Sequence, residues 1–154
     1  MNAEVLEKIK NLREKRKNIL DDVKDTILIN EINLIEECRD SPNKTQKYLE
    51  MLSKYRRLYT SQDVILGKIE SELFAYYKSI DSIEGHKYGT NFPYKLTTTD
   101  AKTMLYKDPK YQTQLTLTIE YQETVKMLED IVRNFKDRPF ALKNMDELRK
   151  LEAN

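Results

Sequence analysis

Gln114-Leu-Thr-Leu-Thr-Ile-Glu-Tyr121-Gln-Glu-Thr-Val125-Lys-Met-Leu128-Glu-Asp-Ile-Val132-Arg-Asn-Phe135-Lys136 admits two readings in its first half and one in its second. From Gln114 to Tyr121 apolar and polar residues alternate, with β-branched side chains, as in a half-buried strand. Tyr121, Val125, Leu128, Val132 and Phe135 then recur at spacings of 4-3-4-3, which a strand cannot place on one face and a helix does. Asp108-Pro109 supplies a cap followed by proline at the first helical position. One helix over 109–136 follows, and with it an all-α chain of elongated helical hairpins.

The totals agree. The 154 residues contain only three glycines and four prolines, and 34% are charged, a composition of long, charge-laced helices. Lys+Arg 27 against Asp+Glu 26 leaves the chain near neutral, so global charge neither demands nor excludes a polyanionic partner. The single cysteine, Cys38, cannot form an intramolecular disulfide and suits a reducing compartment. No apolar run approaches the roughly 20 residues that span a bilayer, and the polar N-terminus does not read as a secretory signal. The expectation is a soluble intracellular protein that meets no membrane.

Working outward toward the N-terminus, Val5, Ile9, Leu12, Arg16, Ile19 and Val23 form a 4-3-4-3-4 seam, which predicts a helix over 3–24. Its other faces carry Lys8, Lys10, Arg13, Lys15 and Lys17; a solvated surface is the simpler reading and a polyanion-binding face the alternative. Ile27-Leu-Ile29 can be extended, and Asn30 can cap a helix that turns Ile32, Ile35 and Cys38 inward, Cys38 as a small buried hydrophobe. Ser41-Pro42 reads as a second cap and first helical position.

From there a helix runs to about Ile80, with Gly67 costing about 1 kcal/mol. Tyr48, Leu52, Tyr55 and Tyr59 make one apolar line, which Ile65, Ile69, Leu73, Tyr76 and Ile80 continue in shifted phase. Lys47, Lys54, Arg56, Arg57 and Lys68 are interleaved with the tyrosines. Cations that follow phosphates and rings that stack on bases are what a single-stranded nucleic acid groove uses. The plainer reading makes the tyrosines core, with hydroxyls at the rim and the cations solvated.

Residues 81–97 hold two of the three glycines and no period, so they read as a loop that contains the one histidine, His86. Thr97 to Asp100 opens a short helix ending near Lys107. At the other end of the chain, Pro139 should interrupt the long helix. Asn144 and Glu147 have capping-box spacing, and Leu142, Met145, Leu148 and Leu151 recur every three residues on one face of a short helix that needs a partner. The expected organisation is an N-terminal heptad helix over 1–25, a helical body over 26–137 and a C-terminal helix over 138–154.

Nothing points to catalysis or to a cofactor. There is no glycine-rich phosphate loop, no Gly-x-Ser-x-Gly and no metal-spaced Cys/His set. Binding or assembly is the better class.

Over residues 26–153 the chain resembles the UvsY-type recombination mediators of tailed bacteriophages. Pro42 precedes a Lys-aromatic-Leu signature, Lys47-Tyr48-Leu49, and Tyr76-Tyr77 match a tyrosine pair. Asp100-Ala-Lys102-Thr103-Met-Leu105 with Asp108, Tyr121, and Arg138-Pro-Phe140-Ala141-Leu142-Lys143 follow in order, ending in Glu147-Leu148-Arg149-Lys-Leu151-Glu152-Ala153. The resemblance implies an all-α protomer that assembles through its C-terminal helix into a hexameric or heptameric ring. It also implies binding to single-stranded DNA, to a RecA-like phage recombinase and to the phage single-strand binding protein, in the cytoplasm of the infected host cell. Around the tyrosine pair the chain departs from the family, with Ser71-Glu72-Leu73 where basic residues are usual.

The DNA contacts are therefore expected upstream: Lys54, Arg56, Arg57 and Lys68 on phosphates, with Tyr55 or Tyr59 stacking. Phe140, Leu142, Met145, Leu148 and Leu151 are the expected subunit contacts. The alternative is a coiled-coil adaptor without nucleic acid, assembled through the seam at Val5 to Val23.

Overall fold

The computed structural model describes residues 3–28, 34–79 and 96–152. They form four helices: α1 (Ala3–Ile27), α2 (Leu34–Ser79), α3 (Thr98–Lys107) and α4 (Pro109–Glu152). There is no strand among the described residues, and Gln114–Tyr121 is helical. The chain divides into two compact units, Met1–Lys10 with Tyr59–Glu120 and Asn11–Leu58 with Tyr121–Asn154.

In the first unit the start of α4 packs antiparallel to the end of α2. Gln114 donates to the Gln62 side chain at 3.0 Å, and Lys110 reaches Glu72 at 3.2 Å. Leu96, Ala101, Leu105, Tyr111 and Leu117 are buried there, with Ile9 from α1. The short α3 is fixed at its start by a capping box: the Asp100 amide donates to Thr97 Oγ1, and the Thr97 amide donates back to the Asp100 carboxylate, both at 3.1 Å. Asp108 caps α4 by accepting from the Lys110 amide at 2.7 Å. It also accepts from the Tyr77 hydroxyl at 2.9 Å; burial first, then that carboxylate, pushes Tyr77 up to about 12.

The second unit is a three-helix bundle. Arg16 meets Glu123 at 2.9 Å and Arg138 meets the carbonyls of Thr26 and Leu28 at 2.6 and 3.0 Å, so α1 and α4 run parallel. α2 runs against both, through Arg56–Glu129 and Asp22–Lys47. Leu12, Leu52, Leu128, Ile131, Val132, Phe135 and Leu142 are buried among the three helices. Each fully buried side chain of this kind contributes roughly 1.5–3 kcal/mol. Tyr48 is at the centre. Its ring stacks on Phe135 at 4.8 Å and its hydroxyl donates to Asp22 at 2.7 Å.

Asp22 also accepts from Lys47 at 2.7 and 2.9 Å, and these two donors, Lys47 first, hold its carboxyl below the usual range. Burial, then the Asp22 carboxylate, pushes Tyr48 up to about 12. Tyr48→Phe should cost about 1.5 kcal/mol at neutral pH, the low end for a hydrogen bond to a charged group, because Asp22 stays partly exposed. A depressed carboxyl pKa stabilises the fold above its unfolded value of about 3.9 and loses that effect as pH falls through the folded value. Urea unfolding of wild type and Tyr48→Phe at pH 7 and pH 3 should therefore show the gap between them narrowing in acid. A gap unchanged at pH 3 would contradict the charged hydrogen bond.

Three expectations are corrected. Pro139 does not interrupt α4, which continues to Glu152, and Asn144 lies inside it without capping anything. A mid-helix proline costs about 3 kcal/mol, but Phe135, Arg138 and Leu142 stay buried on one face across it while the proline itself is exposed. Pro42 likewise lies within α2, which begins at Leu34. There Lys44 reaches back to Glu37 at 3.0 Å, and the Thr45 hydroxyl takes the Ser41 carbonyl at 2.9 Å. Finally, Ile35 and Cys38 face outward, with Ile35 82% exposed. In an uninterrupted helix the inward phase is set by Leu34, Ser41, Tyr48 and Tyr55, seven residues apart and all buried. Ile29, Asn30, Ile32, Ile80 and most of the expected 81–97 loop, with His86, lie outside the described residues.

Candidate nucleic-acid interface

Around the buried line of Tyr48, Leu52 and Tyr55, α2 carries exposed basic residues. Lys54, Arg56 and Arg57 are exposed within one turn in the second unit. Tyr55 is 8% exposed, its ring taken up by packing, and desolvation raises its hydroxyl pKa. Such a ring offers no face to a base. Tyr59, half-buried, and Lys68, exposed, belong to the first unit.

Like Lys47 with Asp22, Arg56 has an ion-pair partner across the bundle. Its Nη2 lies 2.6 Å from Glu129 Oε1, both side chains partly exposed. This pair forms one end of an open furrow between α2 and α4 in the second unit. Leu49, Leu52 and Val132 line it together with Arg133 and Lys136. Leu49 and Lys136 also line its continuation toward Gln46, Cys38 and Pro139. Arg133 makes a 3.5 Å contact to Asp130 one turn back, and both are exposed.

Arg133 and Lys136 were not among the residues singled out from the sequence. The signal for them was the phase of α4: Glu129, Arg133 and Lys136 follow at spacings of four and three, flanking the buried Leu128–Val132–Phe135 stripe.

The expected subunit contacts separate. Leu142 is 1% exposed and belongs to the core of its own protomer, and Met145 is half-buried. Phe140, Leu148 and Leu151 are 70%, 60% and 75% exposed. A step of three residues lags the 3.6-residue turn by about 60°, so the line that starts inward at Leu142 rotates to the outer surface by Leu151.

The α1 seam is taken up within the chain. Ile9 is buried in the first unit and Leu12 in the second, where Arg16 turns its charge to Glu123. Val5, Ile19 and Val23 of the same seam are half-buried. Among the described residues no three His, Cys, Asp or Glu side chains converge as metal ligands, and no helix is long and apolar enough to cross a membrane.

Neither a curated protein nor a solved structure matched the chain. A family model did, over residues 21–154, which takes in Lys54, Arg56, Arg57 and the whole of α4. On that match the chain belongs to the family described as recombination, repair and ssDNA binding protein UvsY.

Proposed function

We propose that the protein is a recombination mediator. In this reading it binds single-stranded DNA as a ring-like homo-oligomer and loads a RecA-like phage recombinase in place of single-strand binding protein, in the cytoplasm of the infected cell. Its work is binding and assembly rather than catalysis. The observation that carries the reading is the exposure of Lys54, Arg56 and Arg57 in one turn of α2, inside the family-matched range. Tyr59 and Lys68 of the first unit are the further contacts proposed; Tyr55 serves the core.

Three or four cations per protomer, with Lys68 the fourth, give modest affinity alone. A ring presenting several copies of the site to one strand gains avidity through effective concentration. Phe140, Leu148 and Leu151 are the proposed subunit contacts, and the hexamer or heptamer expected for the family is the proposed assembly.

Fluorescence anisotropy with labelled oligo-dT across salt tests the reading. Each neutralised phosphate adds about 0.7 to the slope of log affinity against log salt for a single strand. Three contacts predict a slope of at least roughly 2, with duplex of the same length bound more weakly. A flat salt response, or equal affinity for duplex, would overturn it.

A further inference from the structure

We propose that the furrow between α2 and α4 in the second unit is part of the single-stranded DNA path. Arg133 and Lys136 contact phosphates there, and Glu129 is a displaceable counter-ion that holds Arg56 until a phosphate takes its place. This rests on the reading above and adds to it a second helix and a built-in competitor.

The lining is asymmetric in charge. Arg56, Arg133 and Lys136 face it against the one carboxylate of Glu129, over an apolar floor of Leu49, Leu52 and Val132. Cations at the lip with apolar surface beneath suit a chain that is anionic along its backbone and has flat faces to bury. A furrow between two packed helices, whose axes lie about 8–10 Å apart, is too narrow for a duplex. It also has length. Lys143 lines the next hollow along α4, with Leu34 and Cys38. From Arg133 to Lys143 the helix rises roughly 15 Å, room for about four stacked nucleotides at about 3.4 Å each.

Among the residues lining the furrow, Glu129 is the carboxylate that opposes this use. Its Oε1 accepts from Arg56 Nη2 at 2.6 Å in the free protein. The pair is 58% and 40% exposed, so solvent and salt screen it and a phosphate can exchange for the carboxylate. DNA binding must then separate Arg56 from Glu129, and Glu129 lowers affinity by what that separation costs.

Glu129→Gln keeps the shape and removes the competing charge. It should bind oligo-dT about two- to fivefold tighter, the worth of an exposed ion pair, with a steeper salt slope. Arg133→Gln/Lys136→Gln should bind more weakly, its slope reduced by about 1.4 for two lost phosphate contacts. Lys17→Gln/Lys24→Gln removes the same charge from α1, away from the furrow, and should change the slope little. Tighter binding by Glu129→Gln cannot arise from misfolding, which keeps the proposal testable if the double variant is destabilised.

Unchanged or weaker binding by Glu129→Gln, or a furrow double variant no different from the α1 control, overturns the proposal. If Lys54→Gln/Arg57→Gln still loses binding in that case, the α2 reading survives and only the furrow fails. A wild-type protein that does not bind oligo-dT overturns both.

Discussion

Arg138→Ala is expected to lower the free energy of unfolding by roughly 3–5 kcal/mol, the cost of breaking a buried ion pair from one side. The Arg138 side chain is 2% exposed. Its guanidinium donates to the carbonyls of Thr26 and Leu28 and to the Glu37 carboxylate, and it lies over the Phe135 ring at 5.8 Å. The two carbonyls come where α1 ends at Ile27, so one side chain of α4 satisfies acceptors that the helix end leaves without partners. The same fork ties the start of α2 through Glu37. Removing it strands those carbonyls and leaves Glu37, 13% exposed, with Lys44 as its remaining cation in these contacts. Arg138→Lys keeps the charge and loses the fork, so it should recover only part of the loss. Arg133→Ala, five residues away and exposed, should change stability by less than about 0.5 kcal/mol. Urea denaturation of the three variants decides it. A loss below about 1 kcal/mol for Arg138→Ala would mean that the α1 end is held by something else.

Leu148→Asp combined with Leu151→Asp is expected to reduce the particle in light scattering from an oligomer to the 18.3 kDa protomer, with its unfolding midpoint preserved. Both leucines are far outside the core, and the charges they introduce remain in water in the protomer. In an assembled interface each would be buried without a partner, which costs several kcal/mol. Leu142→Asp is the contrast: its side chain is in the core, so it should unfold the protomer rather than merely dissociate it. The dissociated double variant should also lose avidity for long oligo-dT, by about a hundredfold or more. Retention of full oligomer mass would remove the C-terminal face as the subunit contact.

The α1 seam, the start of α3 at Thr97 to Asp100 and the proline that opens α4 were all legible in the sequence because each depends on neighbours within one or two turns. What was not legible is why α4 survives Pro139. The answer lies in a stripe, Thr124-Leu128-Ile131-Phe135-Arg138-Leu142, whose 4-3-4-3-4 phase is unbroken only if an arginine is accepted as a core residue. Arginine is seldom fully buried, and the partners that make it acceptable here, Thr26, Leu28 and Glu37, are about 100 or more residues away in sequence. Pro42 misleads in the same way, since residues 34–41 are held in helix by Leu34 and Glu37 through tertiary contacts. Of the proposed binding residues, the cations of α2 were singled out by their clustering. Arg133 and Lys136, proposed from the furrow, were not, because α4 reads as acidic as it is basic there and only packing against α2 brings them beside Arg56. Tyr55 shows the converse: an aromatic beside cations that packing takes into the core.

The measurement that bears most directly on the account compares wild type with Lys54→Gln/Arg56→Gln/Arg57→Gln in oligo-dT binding from 50 to 200 mM salt. Three lost phosphate contacts predict a salt slope lower by about 2, and an affinity deficit at 50 mM that shrinks as salt rises. The exposed substitutions should leave the helical content unchanged and cost no more than about 1 kcal/mol of stability, the worth of the exposed Arg56–Glu129 pair. Equal affinity and equal slope for the two proteins would contradict the assignment of single-stranded DNA binding to this turn of α2.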